Sequence, residues 1–302
     1  MATPHGAQAG LPVCARHRDR PTGLSCTRCG RPACPECLVD ASVGYQCVDC
    51  VEQGRRTTRQ ATTVAGARTD GKVVLVPILI AVNVAVFLLT AVLAQSVTEN
   101  GDSPFFRALV GFDPSITDGQ PWRLLTAGFL HFGPFHVLVN MMSLWFLRDT
   151  ELVLGRARFL ALYLLALLGG SVAEYVFGDI GGQLAGASGA VYGVLGALVV
   201  LVIRLRRGQA TQLIVYVLAL TLITWWVIPN VSLLGHLGGL VVGAALAVAF
   251  VYAPPANRLA LHIGACALVV VALASLYVLR QGQLAELVFC TDPTAMICYI
   301  TR

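Results

Sequence analysis

Charge is what this chain has least of. Only 12% of its 302 residues are Asp, Glu, Lys or Arg, lysine is almost absent, and 56% are hydrophobic, with a mean hydropathy of +0.73. An ordinary soluble domain carries about 25% charged residues, so a soluble fold is excluded for most of the length. The shortage is uneven. Roughly the first seventy residues are polar, which predicts no cleavable signal peptide. Beyond them whole windows lack charge, and the run from Gly208 to Asn257 has none. Internal repeats and a midplane layer of polar groups are also missing, which argues against a transporter built from inverted repeats.

A helix needs about 20 apolar residues to cross the hydrocarbon core. Suitable windows run from Val73 to Gln95, between Arg123 and Arg148, from Phe159 to Phe177, between Asp179 and Arg204, twice within Gly208–Asn257 with a break at Pro229 and Asn230, and between Arg258 and Arg280. These predict an all-α polytopic membrane protein with seven spans. Arg55, Arg56, Arg59, Arg68, Lys72, Arg148, Arg156, Arg158, Arg204, Arg206, Arg207 and Arg258 all fall on one side of such a bundle; Arg107, Arg123, Arg280 and Arg302 fall on the other. The positive-inside rule then places the N-terminus in the cytoplasm and the C-terminus outside. The net charge of +5 is read as orienting the chain in a bilayer, and no nucleic acid is expected as a partner.

Seven of the ten cysteines precede residue 51. With His17 they make four pairs of like build: Cys14 with His17, Cys26 with Cys29, Cys34 with Cys37, and Cys47 with Cys50. Two intervening residues let both side chains of a tight turn reach one ion, and eight N/S ligands suit two closed, structural zinc sites. A disulfide cluster is the rival reading, disfavoured by a cytoplasmic location. So short a segment cannot build a core, and metal binding would supply most of its folding energy. Residues 55–72, rich in Thr, Arg, Gly and Ala, read as a flexible linker. Cys290 and Cys298 in the outer tail are candidates for a disulfide.

Polar groups inside apolar spans are functional candidates by default. His131, His136 and Asn140 lie in the second window, Ser188 at the start of the fourth, and His236 near the start of the sixth. All three windows run from outside to inside under the arginine topology, so His136, Ser188 and His236 fall in one shallow layer. Ser188 sits in Gly186-Ala187-Ser188-Gly189, where glycine allows a tight helix entry and room for a substrate backbone. Its rival role is packing or a bond to its own backbone. Gly239 and Gly243 after His236 face Gly189, Gly193 and Ala197, a small-residue pattern that lets two helices approach closely. A histidine so placed can act as base and then acid for the serine, with Tyr192 stacked on the imidazole. No aspartate stands near enough in sequence for a triad. His136 and Asn140, four apart, share a helix face and can donate to one oxygen or bond between helices. His131 is read as structural.

Two resemblances follow. The cysteine–histidine segment is similar to a B-box-type zinc finger, with cysteines where many such fingers have histidines in the last pair. That likeness implies Cys14, His17, Cys34 and Cys37 on one zinc, and Cys26, Cys29, Cys47 and Cys50 on the other. Trp122-Arg123-Leu124-Leu125-Thr126, His131, His136 and Asn140, the serine motif of Gly186–Gly189, Gly235-His236 with its glycines, and Glu151, Gly155 and Arg156 together resemble the rhomboid intramembrane serine proteases. The likeness covers residues 73–252 as a six-helix core, leaves 253–302 as an extra span with an external tail, and follows the zinc-stapled domain of residues 1–54. It implies that Ser188 attacks, that His236 carries protons, and that His136, Asn140 and the Ser188 amide hold the oxyanion. It also implies single-pass membrane proteins as substrates, cut near the outer face with no cofactor in catalysis. Residues 96–121, with Phe105, Phe106 and Phe112, look like the family's first loop, and the span carrying Trp225 and Trp226 like its gate. A silent relative that binds membrane clients is the alternative, against which the intact serine and histidine speak. A cytoplasmic partner of the zinc head is a further expectation.

Overall fold

The computed structural model describes residues 10–58, 61–69, 71–205, 207–227, 231–292 and 297–300, which form two compact units divided between Ala61 and Thr62. In the first, strands β1 (Leu38–Asp40) and β2 (Tyr45–Cys47) pair antiparallel, and helix α1 (Val48–Thr57) follows directly. Its buried core is essentially the cysteines themselves: Cys14, Cys26, Cys34, Cys37, Cys47 and Cys50, with Ala33.

The second unit opens with α2 (Leu75–Ala94). A loop region then carries α3 (Pro104–Leu109), β3 (Gly111–Phe112), α4 (Asp113–Thr117) and α5 (Arg123–Thr126), followed by α6 (Gly133–Phe146) and α7 (Asp149–Leu154). Next come α8 (Arg156–Phe177), β4 (Gln183–Leu184), α9 (Ser188–Leu205), α10 (Arg207–Val227), α11 (Leu233–Tyr252), α12 (Arg258–Leu284), and the hairpin of β5 (Val288–Asp292) with β6 (Ile297–Ile300). Among the described residues, α2, α8, α9, α11 and α12 are each long and apolar enough to cross a membrane, and the α5–α6 region makes a sixth. Helix α10 occupies the remaining expected span; Pro229 and Asn230 lie outside the described residues.

The second window is not one straight helix. Residues 123–129 meet α6 at 90°, and the break falls where Gly133 takes φ +72° ahead of Pro134. Asn100 holds the bend: its side-chain amide donates to the His131 carbonyl at 2.8 Å and to Thr90 Oγ1 at 2.9 Å, and its oxygen accepts from Gly133 N. Arg123, fully buried, holds the preceding loop by donating to the carbonyls of Arg107 and Val110 and to Gln120 Oε1. Glu151 does the same for α2, accepting from the amides of Val74, Leu75 and Val76 at 2.8–3.0 Å. A carboxylate there satisfies amides that have no partner in their own helix and favours the dipole.

Residues 62–68, read above as part of a flexible linker, fold back as a tight turn. Thr63 donates to the Val153 carbonyl, Ala65 is fully buried, and Gly66 takes φ +80°. Composition misled because small residues that suit a loose tether also fit a close-packed turn.

Helices α8, α9 and α11 meet backbone to backbone. A methyl group added at Gly239 would lie 2.0 Å from the Gly189 carbonyl oxygen, one at Gly243 2.1 Å from that of Gly193, and one at Gly170 2.5 Å from that of Gly235. The facing glycines of α9 and α11 were legible in the sequence, and α8 joins them through Gly169 and Gly170. Gly243→Val is therefore expected to destabilise the bundle by about 3 kcal/mol, read as a lowered thermal midpoint in detergent. Gly264→Ala on α12, where an added methyl meets nothing, should leave the midpoint unchanged.

Candidate active site and metal centres

Ser188 opens α9, preceded by Gly186 at φ +125°. The first-turn amides of such a helix have no internal acceptor and present its positive end. Across the contact at Gly189 and Gly239, α11 brings His236 alongside. Tyr192, one turn after Ser188, stacks on the His236 ring with centroids 4.1 Å apart and planes 12° apart. His236 is buried, and its Nδ1 has no hydrogen-bond partner among the described residues. Among the described residues no hydrogen bond joins the Ser188 hydroxyl to it; Tyr192, on the helix of Ser188, and the Gly189–Gly239 contact bring the two residues to the same end of the α9–α11 pair.

His136, in the first turn of α6, reaches the same spot from the third side. A methyl group added at Gly186 would lie 2.8 Å from His136 Nε2 and 3.7 Å from Ser188 Oγ. The Phe132 amide donates to His136 Nδ1 at 3.3 Å. A neutral imidazole that accepts at Nδ1 carries its proton on Nε2, so a donor faces the hollow that Gly186 leaves open. Asn140 instead donates its amide to the His136 carbonyl at 3.0 Å. His131 is fully buried, accepts at Nε2 from the Ala187 amide at 3.4 Å, and meets the His136 ring edge-on at 5.1 Å. These contacts tie the bend before α6 to the serine turn. Ser232 caps α11 by accepting from the Gly235 amide, and it donates to the Glu174 carboxylate. Glu174 thus anchors the helix of His236. Neither Ser232 nor Asn100 was flagged from sequence; the usable signal for Ser232 was a serine directly before the apolar run of α11.

In the first unit the eight expected ligands gather as two tetrads, Cys14–His17–Cys34–Cys37 and Cys26–Cys29–Cys47–Cys50, each with its ligand atoms within 4.8 Å of one another. His17 Nδ1 lies 3.3 Å from Cys34 Sγ and 3.5 Å from Cys37 Sγ, and Cys29 Sγ lies 3.8 Å from Cys47 Sγ. Metal–sulfur bonds of about 2.3 Å give a tetrahedron with edges of about 3.8 Å. The ionisation pattern fits as well. A backbone hydrogen bond from Cys34 lowers Cys14 to about 6, and one from Cys47 does the same for Cys26. Burial pushes Cys37 up to about 11, while the side-chain hydrogen bond with Cys29, followed by burial, pushes Cys50 to about 12. The side-chain hydrogen bond from Arg31 lowers Cys29 as well. Each tetrad thus holds at least one thiol that ionises readily beside one that resists, a conflict that a bound cation removes.

Cysteine 290 is disulfide-bonded, and the β5–β6 register sets Cys298 opposite it. The side chains of Trp225 and Cys298 lie outside the described residues; Trp226 is exposed.

The second unit thus defines a multi-pass membrane protein whose apolar helices bring together a serine, three histidines and an asparagine. Residues 118–253 match the Rhomboid domain model. The chain is 34% identical over 199 residues to the rhomboid protease GluP of Bacillus subtilis, covering 63% of this chain and 37% of that one. It is 32% identical over 142 residues to YdcA of the same organism, covering 46% and 71%. To the rhomboid protease GlpG of Salmonella paratyphi A it is 32% identical over 147 residues, covering 45% and 50%. The chain belongs to the rhomboid family.

Metal analysis of the purified protein should return two ions per chain, one for each tetrad. Cys26→Ala should remove one of them and leave the other. Retention of both by that variant would refute the second tetrad.

Proposed function

We propose that this protein is an intramembrane serine endopeptidase that cuts transmembrane segments of single-pass membrane proteins near the outer face of the cell membrane, using Ser188 and His236. The observation that carries the reading is the arrangement at the start of α9: His136 of α6 faces the hollow that Gly186 leaves beside Ser188, and His236 of α11 stacks on Tyr192 one turn after that serine. Membership of the rhomboid family, with relatives named as proteases, supports it.

In this reading the Ser188 hydroxyl attacks the scissile carbonyl as its proton passes to His236. The carbonyl oxygen becomes an oxyanion, which the Ser188 amide and His136 Nε2–H stabilise. Collapse expels the amine, which takes the proton from His236, and leaves an acyl-serine. Water, deprotonated by His236, then attacks that ester and releases Ser188. Stacking on Tyr192 fixes the imidazole in place of the carboxylate of a triad. Asn140 spends one of its two amide hydrogens on the His136 carbonyl and has the other to offer the oxyanion, so its share is the smaller. Gly189 and Gly239 act by keeping α9 and α11 in contact, and His131 by holding the serine turn.

The arginine pattern supports a cytoplasmic N-terminus and an external C-terminus. A disulfide at Cys290 agrees, since such bonds persist in oxidising compartments. The two tetrads of the head, all Cys and His and with four ligands each, suit structural zinc, with none required for catalysis. The head then stands as a folded cytoplasmic module for a protein partner.

Reconstituted with a generic single-pass substrate, the protein should cleave it, and Ser188→Ala and His236→Ala should not. Equal cleavage by all three would sink the dyad. His136→Ala should lower kcat by about 100-fold with KM nearly unchanged, and Asn140→Ala by less.

A further inference from the structure

The candidate active site lies at one end of the bundle. At the other end, several positive side chains have no carboxylate partner among the described residues. Helices α8 and α12 both begin there, and their first turns carry Arg156, Arg158 and Arg258. The N-cap positions are Gly155 and Asn257, and neither helix has a side-chain cap hydrogen bond. Two helix dipoles therefore add positive potential to that of the arginines.

The arginines are held in place. Arg158 Nε donates to His262 Nδ1 at 2.9 Å, and its Nη1 donates to the Leu154 carbonyl at 2.9 Å. His262 accepts at Nδ1, so its proton lies on Nε2, which donates to the Phe250 carbonyl at 3.1 Å. The buried, neutral imidazole is thus a bracket between α11 and the guanidinium. Arg258 lies over the turn of residues 62–68, where a methyl group added at Gly66 would come within 2.2 Å of its Nη1. Its Nε is buried and has no hydrogen-bond partner among the described residues. Glu151, one turn before α8, is engaged with the amides of α2. Among the described residues no carboxylate pairs with Arg158 or Arg258. Two neighbouring guanidiniums at two uncapped helix ends, one with a buried donor that has no partner among the described residues, repel each other, and an anion between them would relieve that repulsion.

Position and surroundings say which anion. Both first turns stand where apolar spans begin, at the level of lipid headgroups. Leu259, Leu261 and Ile263, beside Arg258 on α12, are exposed apolar side chains along which acyl chains can run. We propose that Arg158, Arg258 and the first-turn amides of α8 and α12 bind the phosphate of an anionic phospholipid, held at the end of the bundle opposite Ser188.

The test uses the full chain in phosphatidylcholine nanodiscs with and without phosphatidylglycerol, counting retained lipid by native mass spectrometry. Wild type should retain phosphatidylglycerol. Arg258→Gln should bind it about five-fold more weakly, whereas Arg148→Gln, which removes a partly exposed charge near the same end, should bind as wild type does. Equal binding by Arg258→Gln, or an equal loss in Arg148→Gln, would overturn the site. A measurement on wild type alone covers a variant that does not fold: phosphatidylglycerol should slow hydrogen exchange at the first-turn amides of α8 and α12, and unchanged exchange counts against the proposal. Inorganic phosphate added in lipid-free micelles should give no such protection; protection equal to that by the lipid would overturn the lipid as the source.

Discussion

The contact between α9 and α11 is the constraint on which the rest of this structure depends. Leucine and lipid are equally apolar, so helices in a bilayer gain little by burying large side chains against each other and gain most by close approach. Gly189 against Gly239 and Gly193 against Gly243 bring the two backbones together. Side chains at neighbouring positions then have to meet. Tyr192 stacks on His236 because nothing larger than hydrogen separates the helices one turn away. The same absence of bulk leaves the hollow at Gly186 that the His136 ring faces.

Around that contact, a few buried polar side chains hold irregular backbone in an apolar setting, where unpaired amides and carbonyls are costly. Arg123 takes up carbonyls of the loop region, Asn100 fastens the turn before α6, and Glu151 takes the amides at the start of α2. Asn100 and Glu151 do so across 31 and 77 residues of chain. Their shared logic is that one polar side chain satisfies several main-chain groups at once, so that α6 can start where its histidine is needed.

Much of this was legible in the sequence. Charged residues bracket the spans because charge is expelled from hydrocarbon, and the four-residue recurrence of glycine marks the helix faces that meet. The paired cysteines disclosed both tetrads, and the crossed order implied by the B-box likeness is the one that the structure brings together. What stayed hidden is what depends on distance in the chain. Asn100 gives no sign that it will reach His131, and Glu151 shows no link to Val74, 77 residues away. The window from Arg123 to Arg148 reads as continuous because hydropathy does not register a change of direction; the Gly133-Pro134 step was the only clue to the 90° bend. The donor state of His136 was out of reach, since it rests on a backbone amide at Phe132.

The bend leaves α6 only 14 residues long, which at about 1.5 Å per residue is roughly 21 Å, against a hydrocarbon core of about 30 Å. Charged Arg148 and Asp149 follow at its far end, and Phe135, Leu138, Trp145 and Phe146 face outward along its length. A helix this short cannot match an undisturbed bilayer. A span this short is accommodated by thinning of the adjacent lipid, by snorkelling of flanking charges such as Arg148, or by association with another helix. The flank that carries α6 is therefore where protein and bilayer have to adapt to each other.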